Sequence, residues 1–82
     1  MLTAAMLQDE NFWVIESLCN DSSEFARALG NLAMVSDYNN LALIQSTWPG
    51  TWQKHVLNGR RMAQAAGHHL PARGANADRA NS

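Results

Sequence analysis

Trp48-Pro49-Gly50-Thr51-Trp52 constrains this chain more than any other stretch. Pro49 has no backbone N–H and disfavours the α conformation at the residue before it, so a helix arriving from residue 39 ends at Trp48. Proline is tolerated in a first helical turn, so the next helix starts at or just after it. The spacing predicts a helix–turn–helix corner, in the architectural sense, with Trp48 and Trp52 packed at the elbow.

Eighty-two residues make one small domain. A chain of this size buries only roughly 60 % of its unfolded surface on folding, so a partner or second copy would reinforce a thin core. The single cysteine, Cys19, excludes an intrachain disulfide and fits a reducing compartment. The first stretch carries Asp9, Glu10 and Glu16 without a basic start, unlike a signal peptide. No apolar run approaches the roughly 18 residues of a membrane span. The expected location is cytoplasmic, with no membrane partner.

Charge divides the chain. Residues 1–50 hold Asp9, Glu10, Glu16, Asp21, Glu24 and Asp37 against Arg27 alone, while residues 51–82 hold Lys54, Arg60, Arg61, Arg73 and Arg79 against Asp78. Such a split fits an anionic partner for the basic end, or simply the last helix docking on the acidic half. Screening of scattered surface charge favours the second reading.

Helical periodicity dominates elsewhere. A first helix over residues 3–19 puts Phe12, Ile15 and Cys19 on one line with Val14 and Leu18 beside it, and can break at Gln8-Asp9, where Asp9 would cap a new start. Asp21 and Glu24 resemble a capping box for a second helix, 22–36, with Ser22 and Ser23 as alternative caps. That helix has two candidate buried faces: a large stripe of Phe25, Ala28, Leu29, Leu32 and Val35, and a small-residue ridge of Ala26, Gly30 and Ala33. Apolar over most of its circumference, it should sit centrally. Asp37 caps a third helix, 38–47, whose face is Leu41, Ile44 and Trp48. In a fourth, 50–66, Trp52, Val56, Gly59, Met62, Ala63 and Ala66 align with His55, opposite Lys54, Asn58 and Arg61. Gly59 suggests close backbone contact, and Gly67 ends the helix. The fold class is therefore all-α: a bundle of four short helices over residues 1–66, followed by a disordered tail, 67–82, too polar to offset its ordering entropy.

No catalytic constellation is visible, and no cofactor or metal is expected. Cys19 sits on an apolar line, where cysteine behaves as a small hydrophobe. His55 reads as a partly buried helix histidine with one hydrogen bond. His68 and His69 diverge and lack further ligands. The carboxylates read as caps and solvated groups rather than a paired acid and base.

Two binding classes remain. Trp13, Met34 and Leu43 are the candidate protein interface, because aromatic and Met side chains anchor interfaces and Phe12 and Ile15 already define the buried line beside Trp13. The same patch suits a homodimer seam equally. The alternative is a DNA-associated regulator: Ala26, Gly30 and Val35 loosely follow a helix-turn-helix register, with Asn39, Asn40 and Gln45 to read base edges. Its reading helix has no Lys or Arg, so phosphate contacts would fall to Lys54, Arg60 and Arg61, giving weak, salt-sensitive binding. Nucleic acid is the less favoured partner.

The stretch Asn-Leu-Ala-Leu-Ile-Gln-Ser-Thr-Trp-Pro and then Thr-Trp-Gln-Lys-His-Val, residues 40–56, resembles a pattern in small phage- or prophage-encoded helical proteins. The resemblance spans residues 22–66 and rests on the Trp-Pro-x-x-Trp corner. It implies an accessory protein that binds and modulates a host or phage protein, or in some cases a regulator on DNA, and transfers no site residues.

Overall fold

The first predicted helix divides at Gln8-Asp9. Asp9 has extended backbone and its carboxylate accepts the Asn11 N–H at 3.0 Å, so a new helix starts at Glu10. The computed structural model describes residues 4–70, which form five helices rather than four. They are α1 (Ala4–Leu7), α2 (Glu10–Cys19), α3 (Glu24–Met34), α4 (Tyr38–Thr47) and α5 (Pro49–Ala65). None of the described helices is long and apolar enough to cross a membrane.

Local signals account for most boundaries. The cap of α3 is Ser23, whose hydroxyl accepts the Ala26 N–H at 3.3 Å. Asp21, expected in that role, instead accepts the Ser23 N–H at 2.8 Å in an Asx turn that delivers the chain to the cap. Asp37 caps α4 as expected, accepting the Asn40 N–H at 2.8 Å. Trp48 belongs to two helices at once. Its N–H donates to the Ile44 carbonyl at 3.0 Å, and its own carbonyl accepts the Trp52 N–H at 2.9 Å. Pro49 then occupies the first position of α5, where its missing N–H costs nothing.

Gly67, at φ 88°, closes α5. Its N–H donates to the Gln64 carbonyl at 3.0 Å and the His68 N–H to the Ala63 carbonyl at 2.8 Å, the paired bonds of a left-handed helix stop. Residues 67–70, assigned to the disordered tail on sequence, turn back onto the body. The His68 ring lies 5.7 Å from the Trp13 ring, and the Leu70 carbonyl accepts from Arg60 at 3.2 Å. The remainder of that tail, residues 71–82, lies outside the described residues.

The central helix is α2, not α3. It packs against α3 on one side and α5 on the other, and supplies Val14 and Leu18 to a core completed by Ala26, Leu29, Ala33, Ile44, Trp52 and Val56. Glycines bring the helices together. A Cβ on Gly59 would lie 2.7 Å from the Trp13 carbonyl oxygen, and one on Gly30 would lie 2.9 Å from the Cys19 nitrogen. α2 is thus held at both ends by partners that approach its backbone.

That closeness decides which side of α3 is buried. The small ridge of Ala26, Gly30 and Ala33, with Leu29, faces inward. Seating α3 on this ridge turns the larger stripe away from α2, and Phe25, Leu32 and Val35 stand exposed.

Candidate functional site

The uncovered stripe continues across α4. Phe25 (52 % exposed), Leu32 (50 %), Val35 (80 %), Leu43 (61 %) and Trp48 (36 %) share the outer face of α3 and α4. Phe25 meets Trp48 edge-on, with ring centroids 5.9 Å apart. A groove of about 530 Å³ runs between the two helices, lined by Leu32, Val35, Leu43, Ile44 and Trp48 with Ser36, Asn40 and Thr47. Together the five large side chains present the equivalent of nearly three fully exposed ones, roughly 500 Å² of contiguous apolar surface. Patches of this size are commonly functional, whereas apolar residues exposed singly are ordinary.

Leu43, a candidate interface residue, lies on this exposed apolar stripe. Met34 is exposed as well, but on the opposite flank of α4. There it lines a second groove, about 580 Å³, with Phe12, Ile15, Tyr38 and Leu41, and with Asp9, Glu16 and Asp37 among its other walls. The two candidates do not form one patch.

Trp13, expected to be exposed, belongs to the interior. It is buried, its ring meets Phe12 edge-on at 5.1 Å, and its indole N–H donates to the Leu7 carbonyl at 2.8 Å. The buried side of α2 is Trp13, Val14, Ser17 and Leu18, rotated from the expected Phe12, Ile15 and Cys19 line. Those three are only partly buried. The shift arises because Ser17, a polar residue, is at the centre of the face.

Ser17 is 2 % exposed and anchors a polar clamp between α2 and α5. Asn58 donates to its hydroxyl oxygen at 2.7 Å, and the hydroxyl lies 2.6 Å from His55 Nδ1. The Asp21 carboxylate opposite the ring can only accept, so the neutral ring keeps its proton on that side and Nδ1 accepts the serine proton. His55 Nε2 then carries the proton facing Asp21, 3.3 Å away. Burial pushes the His55 pKa below its ordinary value, and Lys54 acts in the same direction against the opposing pull of Asp21. Asp21 is held below the usual carboxylate range chiefly by the Ser23 N–H, with His55, Lys54 and Arg27 adding to it against the effect of burial. Serine, histidine and aspartate in sequence invite comparison with a nucleophile and its base. The hydroxyl here is enclosed and accepts from Asn58, so the arrangement joins two helices rather than presenting an attacking oxygen.

The three candidate phosphate ligands are divided between two clefts that share Arg61. Arg60 donates to Glu10 at 2.6 Å and to the Leu70 carbonyl, which ties α5 to α2 and to the turn beyond Gly67. Lys54 and Arg61 are exposed, and line a cleft of about 370 Å³ that also contains Asp21. Val35, which a helix-turn-helix register would bury, is the most exposed residue of the apolar stripe. Among the described residues no group of three His, Cys, Asp or Glu side chains could hold a metal ion. The Cys19 thiol, raised by burial and then by Glu16, is poorly disposed to react.

Sequence reasoning missed the exposure of Phe25, Leu32, Val35 and Trp48 by placing them in the core. A usable signal was present: between Ala28 and Gln53 the only charged residue is Asp37. No protein-family model, curated protein or solved structure matches this chain.

Proposed function

We propose that the protein is a non-catalytic protein-binding module whose contact surface is the outer face of α3 and α4. The observation that carries this reading is the stripe of Phe25, Leu32 and Val35, left uncovered because the small ridge of α3 takes the place against α2. Leu43 and Trp48 extend the stripe across α4, and Ser36, Asn40 and Thr47 give it the uncharged polar groups found at interface rims. An accessory role of the kind implied by the resemblance to phage and prophage proteins is compatible with such a surface.

The DNA-associated alternative has weaker support. Helix α4 contains no Lys or Arg, and Arg60 is engaged within the domain. Phosphate neutralisation, the dominant contribution to affinity for DNA, would rest on few groups.

The test is affinity capture of the tagged protein from a bacterial lysate, with and without nuclease, alongside a Leu32→Glu/Leu43→Glu variant checked for helicity by circular dichroism. A protein captured by the native chain despite nuclease, and lost from the variant, is the expected result. Nucleic acid captured alone and released by salt, or a protein retained equally by the variant, overturns the reading.

A further inference from the structure

We infer that the occupant of the α3–α4 face is a second copy of this chain, paired through a two-fold axis. The inference rests on the reading that this face is a contact surface, and adds what covers it. Its first support is electrostatic. None of the residues lining the groove is charged, and α4 has no charged residue along its length. In an isologous interface a group near the axis meets its own counterpart, so a carboxylate or ammonium there would face a like charge. The groove contains none, and it likewise lacks the charge pattern by which unlike partners are steered and oriented.

Area is the second support. A standard interface buries about 800 Å² per partner, and homodimer interfaces are about 65 % apolar, which requires roughly 520 Å² of apolar surface from each copy. The exposed stripe supplies about 500 Å² by the same reckoning. The third support is the polar chemistry. Asn40 and Thr47 each carry both a donor and an acceptor, so each can pair with its own copy. Ser36 already donates its proton to the Leu32 carbonyl at 2.6 Å, leaving its oxygen to accept. Two α3–α4 pairs laid face to face would form a four-helix layer, with Leu32, Val35 and Leu43 from both copies at its centre.

Sedimentation equilibrium of the full chain, from low micromolar to millimolar concentration, tests this directly. Two variants accompany it, Val35→Glu/Leu43→Glu and Val35→Lys/Leu43→Lys; both positions are exposed, and circular dichroism confirms that each variant is folded. The native chain is expected to be a dimer whose association does not weaken as salt rises. Each variant alone should associate at least about 100-fold more weakly, as expected when central apolar anchors become like charges. Mixing the two variants should restore a dimer containing one copy of each. A native chain that stays monomeric throughout overturns the second copy as occupant, yet leaves the face open to an unlike protein. A dimer that both variants preserve shows association through another surface, and overturns this inference while likewise leaving the face open to an unlike protein.

Discussion

Gly59 lies against the main chain of Trp13: a Cβ built on it would come within 2.7 Å of the Trp13 carbonyl oxygen and 2.8 Å of its carbonyl carbon. Neither atom can yield without moving α2. Gly59→Ala gains about 1 kcal/mol of helix propensity but must separate two packed helices, a net loss of about 1–3 kcal/mol. Gly30→Ala should behave similarly against the Cys19 nitrogen and Leu18 Cβ, both 2.9 Å from the added methyl. Gly50 has nothing within 4 Å and lies in the first turn of α5, so Gly50→Ala should stabilise by about 0.5 kcal/mol. Urea unfolding of the three variants checks the opposite signs.

Trp13→Ala should cost about 3–5 kcal/mol, most of what a domain this small possesses. Trp13→Phe retains most of the apolar contact but loses the bond to the Leu7 carbonyl, and should cost about 1 kcal/mol. Thermal melts followed by circular dichroism distinguish these values from the small effect expected of an exposed side chain.

Removing the Ser17 hydroxyl leaves His55 Nδ1 without a donor and one Asn58 N–H without an acceptor. Ser17→Ala should therefore cost about 1–3 kcal/mol, despite being the mildest change at that position. Replacing both partners, Ser17→Ala with His55→Leu, should destabilise less than the sum of the single changes. A double-mutant cycle by denaturant unfolding measures the coupling, and strict additivity would mean that the clamp contributes nothing.

The same clamp sets a pH dependence. Burial lowers the folded-state pKa of His55 below the ordinary value of about 6.5, so the unfolded chain takes up the proton first as pH falls. The contribution of His55 is complete above about pH 6.5 and declines below it, down to the folded value. Asp21 works in the same direction at lower pH: its depressed pKa stabilises the fold above about 3.9 and loses its effect as pH falls further. The melting temperature should drop between about pH 7.5 and 5 in the native chain. In His55→Leu the part of that slope due to the clamp should vanish.

How much of this was legible in the sequence depended on the range of each interaction. The Asp9 break, the Asp37 cap, the corner at Pro49 and the stop at Gly67 are decided within a few residues, and all were readable. So was most of the α5 stripe, since Trp52, Val56, Gly59 and Ala63 are all buried. The misreadings involve distant partners. Ser17 looks like a surface residue until His55, 38 positions away and itself legible on the α5 stripe, is beside it. Arg60 reads as a free cation until Glu10, 50 positions away, reaches it. For α3 both faces were apolar, so hydrophobicity could not choose between them. Closeness of backbone approach chose the ridge with the smaller side chains, and the candidate contact face is the stripe it left outside.

The joint between α4 and α5 makes that face intolerant of changes in length. Trp48 caps both helices, with no spacer between them, so a single pair of backbone dihedrals (φ −124°, ψ 61°) sets the phase of α4 relative to α5. One residue inserted into α4 between Ile44 and Trp48 would rotate its preceding turns by about 100° relative to the corner. Leu43 would swing away from Leu32, and Ile44 would leave the core it shares with α2, α3 and α5. Substitutions across the outer face can be absorbed one at a time, but an insertion or deletion at this corner displaces the whole apolar pattern of α4 in a single step.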